Sequence, residues 1–193
     1  MISSRVGHSF DPVALRVYHV LFGHKALSPN LLTLCGAIFG VLSALCIGLD
    51  RLVLSAIFLF ISGVFDVMDG AVARSTNNVT SFGGFLDSVL DRYTDLLIMG
   101  GILVFFLRKG AHFEVLATFV AAMGVAIIPY ARARAEVARL ECKTGLLERP
   151  ERLIILFFGL AFNVLQYAVI FLSVFTHVTV IQRILHTRRE ASD

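Results

Sequence analysis

Apolar stretches long enough to cross a lipid bilayer follow one another along most of this chain. A fifth and longer stretch, from Leu153 to Leu185, exceeds one crossing and is expected to divide in two near residues 162–166. The four stretches before it lie near residues 31–49, 52–73, 84–107 and 113–135. With 57% hydrophobic residues, 16% charged residues and a mean hydropathy of +0.81, the chain is typical of a polytopic membrane protein. The sequence therefore predicts an all-α fold with six transmembrane helices.

The segment before the first crossing has a different pattern. From residue 11 to residue 21, apolar side chains recur at helical spacing and are interrupted by Arg16 and His19, which favours an amphipathic helix lying in the membrane interface. Ser28 and Pro29 then mark the start of the first crossing, with Ser28 suited to cap the helix and Pro29 to its first turn. We therefore expect a single membrane domain over residues 1–193. Its predicted parts are an interfacial segment at 1–28, a six-helix bundle at 29–187 and a cytoplasmic tail at 188–193.

The distribution of positive charge predicts the orientation in the membrane. If the N terminus is cytoplasmic, Arg51, Arg108 and Lys109 lie outside, and the other fourteen of the seventeen Lys and Arg residues lie inside. The net charge of +3 and the pI near 9.0 then come from inner loops beside anionic lipid headgroups. This surplus is thus explained by the lipid bilayer as a partner and gives no argument for nucleic acid.

Four aspartates occur within 26 residues, inside or beside the apolar stretches: Asp66, Asp69, Asp87 and Asp91. An aspartate at the centre of a membrane helix costs about 3 kcal/mol, so a cation must offset them. Residues three or four apart share one helix face, so the four form two converging pairs. Clustered carboxylates without nearby Cys or His favour Mg²⁺ or a similar hard cation. The alternative is that they are helix caps or solvated loop residues in a short break.

The whole motif is longer than these four residues. It reads Asp66-Val-Met-Asp69-Gly70-Ala-Val-Ala73-Arg74, then eight residues, then Gly83-Gly-Phe-Leu-Asp87-Ser-Val-Leu-Asp91. This motif resembles the signature of the CDP-alcohol phosphotransferases, also called CDP-alcohol phosphatidyltransferases. The resemblance implies a metal-dependent membrane enzyme that transfers a phosphatidyl-type group from a CDP-linked lipid, such as CDP-diacylglycerol, to the hydroxyl of a small polar alcohol and releases CMP.

The resemblance also implies roles for individual residues. Asp91 would be the catalytic base, while Asp95, one turn further on, would support the site or pack against it. The implied ligands of Mg²⁺ or Mn²⁺, with two ions expected, are Asp66, Asp69, Asp87 and Asp91. The implied nucleotide contacts are Asp66, Asp69, Gly70, Ala73, Arg74, Gly83, Asn30 and Thr33.

A second basic group follows the fourth crossing. Arg132 and Arg134 lie at its end, and Arg149 and Arg152 begin the next stretch, so they can converge on an anion if the two spans are neighbours. Ordinary flanking charge on the cytoplasmic side is the alternative. The local sequence looks like the inositol-phosphate-using branch of the family. This implies that the four arginines bind a phosphorylated polyol such as inositol phosphate.

Other functions remain open at this point. Within the family, the alternatives are glycerol 3-phosphate as acceptor, which gives phosphatidylglycerol phosphate, free inositol, or CDP-inositol as donor. A divalent-cation transporter is an alternative of a different class, but it predicts acidic groups spread through the bilayer depth rather than collected at one end. The resemblance further implies a homodimer in a bacterial or archaeal plasma membrane, with the active site facing the cytoplasm. Gly36 and Gly40 form a pair of small residues suited to close helix packing within the fold.

Overall fold

The computed structural model describes residues 11–23, 27–142 and 144–191, and every regular element in this part of the chain is helical. Residues 1–10 and 24–26 of the predicted interfacial segment, and the last two residues of the predicted tail, lie outside it. The helices are α1 (Asp11–Phe22), α2 (Pro29–Gly48), α3 (Leu52–Ser75), α4 (Ser81–Arg108), α5 (His112–Val137), α6 (Arg149–Ala161) and α7 (Leu165–Glu190).

Four of these helices, α2, α3, α5 and α7, are long and apolar enough to cross a membrane, which makes the chain an integral membrane protein. The other two predicted crossings differ from them for physical reasons. The 28 residues of α4 give a length of about 42 Å, but Asp87, Asp91, Arg92 and Asp95 lie between its beginning and its middle. The 13 residues of α6 give only about 20 Å, less than the roughly 30 Å of a hydrocarbon core.

The helices pack as two linked groups. In the first, α2 lies against both α3 and α4, and α1 lies against α3. In the second, α5 and α7 pack along each other, while α6 contacts α7 and reaches back to α3. Gly36 and Gly40 lie inside the first group, where Gly36 meets Phe65 and Gly40 meets Thr94. The small pair on α2 therefore serves packing within the fold, as the sequence predicts.

Local sequence explains where the helices end. Asp50, Asn77 and Asn163 adopt positive φ values in the short turns between helices, a conformation that Asn and Asp tolerate better than most residues. The turn at Asn163 divides the last apolar stretch between Ala161 and Leu165, within the predicted interval. Thr80 caps α4 by accepting a hydrogen bond from the Gly83 amide at 3.0 Å. The predicted side-chain cap by Ser28 is wrong, because only its carbonyl oxygen accepts, from the amides of the first turn of α2.

The two ends of the first helix group differ in chemistry. At one end, Lys109 Nζ lies 3.3 Å from Asp50 Oδ2, and Arg108 donates to the Gly48 carbonyl at 2.6 Å. The end of α3 and the beginning of α4 lie at the opposite end, because α3 and α4 run antiparallel. The sequence motif from Asp66 to Asp91 is thereby gathered at the end remote from Lys109.

Candidate active site

Three of the motif aspartates converge where α3 and α4 adjoin. Carboxylate oxygens of Asp66, Asp87 and Asp91 lie within 4.8 Å of one another. Asp69 lines the same open pocket of about 220 Å³, so all four predicted metal ligands border one space. The pairing of i, i+3 and i, i+4 residues on two adjacent helices explains this arrangement. The convergence predicted from the spacing is thus present in the fold.

The surroundings of Asp69 and Asp87 fit a cation site. Thr33 donates to Asp69 Oδ2 at 2.6 Å and so orients a carboxylate that is 6% exposed. Asp87 Oδ1 is buried and has no hydrogen-bond partner among the described residues. An unpartnered buried carboxylate oxygen is costly unless a ligand satisfies it. The oxygen-only donor set and this orphaned atom are suited to Mg²⁺ or Mn²⁺.

Arg149, the first residue of α6, reaches into this acidic group. Its Nη1 lies 2.6 Å from Asp66 Oδ1, and its Nη2 lies 2.9 Å from Asp91 Oδ1. The sequence interpretation assigns Arg149 to the acceptor and does not anticipate these contacts. The structure therefore places one predicted acceptor residue directly beside two predicted metal ligands.

A second ion pair lies behind the pocket. Asp95 is 5% exposed and Arg152 is 4% exposed, and Arg152 Nη2 lies 2.8 Å from Asp95 Oδ2. Arg152 also donates to the Leu147 carbonyl at 3.3 Å. Arg152 is not among the residues that line the open pocket, whereas Arg149 is. The two arginines of α6 thus occupy different environments although they are only three residues apart.

Of the predicted nucleotide contacts, Thr33, Asp66 and Asp69 line the pocket, and the other five are not among its lining residues. Arg74 donates from Nε and Nη2 to the two carboxylate oxygens of Asp11 on α1, at 2.9 and 2.6 Å. A Cβ at Gly70 would lie 3.1 Å from Arg74 Nη1, so the glycine leaves room for this side chain. A Cβ at Gly83 would lie 3.1 Å from Asn30 Oδ1, which places Asn30 at the beginning of α4. Sequence reasoning missed the role of Asp11, which it treated only as the start of a helix.

The remaining predicted acceptor residues, Arg132 and Arg134, are exposed at the end of α5. Arg132 Nε lies 2.9 Å from Glu136 Oε1, one turn along the same helix. Helices α5 and α6 do not pack extensively on each other; α7 lies against both. The buried Arg183 of α7 donates to the Ile128 carbonyl of α5 and, at 3.0 Å, to the Thr144 carbonyl before α6. Sequence reasoning missed Arg183, whose only signal is a charge inside the last apolar stretch.

The fold and the site are those of a helical membrane protein that can hold a metal between carboxylates at one end of its bundle. Comparison with known proteins identifies its family. The family model for CDP-alcohol phosphatidyltransferase matches residues 26–181, so this chain belongs to that family. The chain is 34% identical over 164 residues to the archaetidylinositol phosphate synthase of Pyrococcus horikoshii, covering 84% of this chain and 85% of the relative.

Solved structures agree with this assignment. Phosphatidylinositol phosphate synthase of Mycobacterium tuberculosis, crystallised with CDP-DAG bound, matches with a TM-score of 0.78 and 29% identity over 92% of each chain. A crystal structure of the same enzyme with manganese and citrate matches with a TM-score of 0.79 and 29% identity, covering 92% of this chain and 88% of that one. The family predicted from the motif is therefore confirmed.

Proposed function

We propose that this protein transfers a phosphatidyl-type group from a CDP-linked lipid, such as CDP-diacylglycerol, to a hydroxyl group of inositol phosphate and releases CMP. The observation that carries this proposal is the meeting of Asp66, Asp69, Asp87, Asp91 and Arg149 around one open pocket. Carboxylates that hold a cation and a guanidinium group for an anion are the groups that two phosphorylated substrates require. The names of the matched relatives favour inositol phosphate as the acceptor.

The four aspartates would hold Mg²⁺ or Mn²⁺, and we propose two ions. Such ions, when bound, neutralise the diphosphate and stabilise the charge that develops on its oxygens. Asp66, Asp91 and Asp95 are paired with Arg92, Arg149 or Arg152, whereas Asp69 and Asp87 have no ion pair within 4 Å among the described residues. The resulting excess of negative charge supports cation binding in a part of the chain surrounded by apolar helices.

Asp91 is the proposed catalytic base. The acceptor hydroxyl oxygen forms a bond to the phosphorus farther from cytidine, the bond from that phosphorus to the CMP oxygen breaks, and the hydroxyl proton passes to a carboxylate oxygen of Asp91. Asp91 Oδ1 contacts Arg149, while Oδ2 lies 3.9 Å from Arg92 Nη2 and lacks a closer ion-pair partner among the described residues. The second oxygen is thus the better placed of the two to receive a proton.

The proposed nucleotide contacts lie along the outer edge of the pocket. Gly70 and Ala73 keep the wall of α3 low, and Gly83 does the same for α4, so that the CDP group can approach the backbone. Arg74 supplies a planar donor pair to the diphosphate in exchange for Asp11. Asn30 and Thr33 complete this set from the beginning of α2.

We centre the proposed acceptor site on Arg149; of the other predicted acceptor arginines, Arg132 and Arg134 are exposed at the end of α5 and Arg152 is buried against Asp95. Arg149 is the member that already borders the metal-binding carboxylates, so it can bring the acceptor phosphate near the reacting hydroxyl. Arg132 can exchange its exposed partner Glu136 for a stronger anion. A glycerol 3-phosphate acceptor uses the same charge and is the alternative that the experiment must separate.

In the membrane, we propose that α4 and the shorter α6 cross together with α2, α3, α5 and α7 to give six crossings in one domain over residues 1–193. Of the seventeen Lys and Arg residues, only three are predicted on the outer side, and two of them, Arg108 and Lys109, lie at the end remote from the acids, which supports a cytoplasmic active site by the positive-inside rule. Helix α1 lies in the interface with Ala14 and Tyr18 against α3. The family resemblance supports a homodimer in a bacterial or archaeal plasma membrane.

The test is a CMP-release assay with purified protein in lipid nanodiscs. CDP-diacylglycerol and Mn²⁺ are held constant, while inositol phosphate, free inositol and glycerol 3-phosphate are compared as acceptors. We expect the highest kcat/KM with inositol phosphate as acceptor. With inositol phosphate present, replacing Mn²⁺ by a chelator should abolish CMP release. Asp50→Asn, at the remote end, is the matched control for removing an acid. Preference for glycerol 3-phosphate would overturn the acceptor assignment.

A further inference from the structure

Asp95 divides its two carboxylate oxygens between the two arginines of α6. Oδ2 accepts from Arg152 Nη2 at 2.8 Å, and Oδ1 lies 3.5 Å from Arg149 Nε. Asp95 follows Asp91 by one helical turn on α4 but is not among the residues that line the open pocket. It therefore reaches the site only through Arg149.

The three nitrogens of the Arg149 guanidinium group are distributed over three different aspartates. Nη1 contacts Asp66, Nη2 contacts Asp91 and Nε faces Asp95. The two terminal nitrogens are fixed by short ion pairs, whereas Nε has no hydrogen bond among the described residues and is oriented toward Asp95 by charge, at 3.5 Å. Asp66 and Asp91 are also proposed cation ligands, whereas Asp95 has no other proposed task. Asp95 is thus the carboxylate that can still bind Arg149 when Asp66 and Asp91 coordinate a cation.

The same aspartate is tied to the loop that leads into α6. Arg152, its other partner, donates to the Leu147 carbonyl, and the Leu147 amide donates to Thr179 Oγ1 at 3.1 Å. The loop from Thr144 to Glu148 is therefore fastened to α7 on one side and, through Arg152, to α4 on the other. Because Arg149 follows this loop directly, both its backbone and its side chain are fixed by groups connected to Asp95.

We propose that Asp95 is a positioning residue for acceptor recognition, because it sets the orientation in which Arg149 receives the phosphate group of the acceptor. This inference rests on the proposed function. Asp95 contacts neither substrate; its effect passes through Arg149. A purely structural role would instead consist of neutralising Arg152 in the bundle interior.

The two roles are separated by comparing three variants. Asp95→Asn leaves Arg152 buried without a counter-charge and is expected to be poorly folded, which both roles predict. Arg152→Gln leaves Asp95 in place to bind Arg149, and the glutamine side chain offers Asp95 an amide donor. The double variant Asp95→Asn/Arg152→Gln removes both buried charges together, which proteins commonly tolerate, but leaves Arg149 Nε without its carboxylate. Ser43→Ala, which removes a buried hydroxyl bonded to Ser55 at the other end of α2, is the control for altered packing.

The readouts are the thermal midpoint, the KM for each substrate in CMP release, and calorimetric binding of inositol phosphate with Mn²⁺ but without CDP-diacylglycerol. We expect the double variant to melt near the wild-type temperature, with its KM for CDP-diacylglycerol within about twofold of that of Arg152→Gln. Its acceptor KM and its calorimetric Kd should exceed those of Arg152→Gln by about tenfold or more, since misplacing a group by 1 Å can cost up to about a hundredfold. Ser43→Ala should lower the thermal midpoint but match the wild type in both KM values and in the Kd.

Two results would overturn the inference, and they differ. If the wild type binds and converts inositol phosphate while the double variant matches Arg152→Gln in acceptor KM and Kd, Asp95 only neutralises Arg152, and the proposed function stands. If the wild type neither binds nor converts inositol phosphate, the proposed acceptor fails and the inference fails with it.

Discussion

Two acidic groups on the same helix face of α4 have opposite surroundings. Asp87 and Asp91 border an open pocket, and Asp87 Oδ1 has no partner among the described residues. Asp95, one turn further on, is almost fully buried, accepts a hydrogen bond from Arg152 on one oxygen and faces Arg149 Nε at 3.5 Å with the other. The first group leaves acceptor capacity for a ligand, whereas the second is satisfied within the protein.

Residue type and spacing alone therefore do not define a site in a membrane bundle. All three aspartates recur at i, i+4 and all are costly in an apolar environment. What separates them is the balance of charge: the open pocket holds the carboxylates of α3 together with a single arginine of α6, Arg149, whereas Asp95 has its own buried partner, Arg152.

Removing the proposed proton acceptor of the open pocket, Asp91, should have the largest effect on the rate of CMP release. Asp91→Asn is expected to lower the rate of CMP release by about 10²- to 10⁴-fold, the usual contribution of a general base. Binding of CDP-diacylglycerol should change little, because the other carboxylates remain. Single-turnover CMP release and a binding titration measure the two quantities, and normal turnover by this variant would refute the base assignment.

Breaking the buried ion pair of Asp95 with Arg152 should instead affect folding. Arg152→Leu leaves Asp95 without its closest counter-charge and is expected to lower the free energy of unfolding by about 3 kcal/mol or more. Lys109→Ala is the matched control, because the pair of Lys109 with Asp50 is about half exposed and contributes at most about 1 kcal/mol. Unfolding in mixed detergent micelles measures both. Equal losses for the two variants would contradict the contrast between buried and exposed pairs.

Loosening one carboxylate of the open group should have a moderate effect. Thr33→Val removes the hydroxyl that orients Asp69 while nearly preserving the side-chain shape. Loss of a group that orients a metal ligand typically costs about 10- to 100-fold in metal affinity, so we expect the Mn²⁺ concentration for half-maximal activity to rise by about tenfold. Thr118→Val, a buried threonine of α5 that bonds only its own helix, provides the control. An unchanged Mn²⁺ requirement would show that Asp69 does not depend on Thr33.

The smallest effect is expected at the edge of the pocket. Asp11→Asn weakens the interaction with Arg74 that must break before Arg74 can bind the diphosphate of the donor. Since partly exposed ion pairs are worth at most about 1 kcal/mol, the KM for CDP-diacylglycerol should fall by about twofold to fivefold. Steady-state kinetics measure this change. A higher KM would mean that Asp11 supports the donor site instead of competing for Arg74.

The sequence allowed much of this account to be predicted, because several signals are local. Apolar length located the helices, the turn near Asn163 followed from a stretch too long for one crossing, and the spacing of the four aspartates predicted their convergence. The positions of the arginines did not follow, because they depend on which helices are neighbours. Arg149 lies among the acids since α6 packs on α3, and no periodicity within α6 encodes that choice. For the same reason, the bonds of Arg74 with Asp11 and of Arg183 with the loop before α6 were not foreseen.

The central claim is that the carboxylates where α3 and α4 adjoin bind the divalent cation on which transfer depends. The most direct test is Mn²⁺ titration followed by electron paramagnetic resonance, with the purified wild type, Asp66→Asn/Asp87→Asn and the remote-end control Asp50→Asn. We predict bound Mn²⁺ for the wild type and for Asp50→Asn, and its loss together with the loss of CMP release in the double variant. Undiminished Mn²⁺ binding by Asp66→Asn/Asp87→Asn would contradict the account.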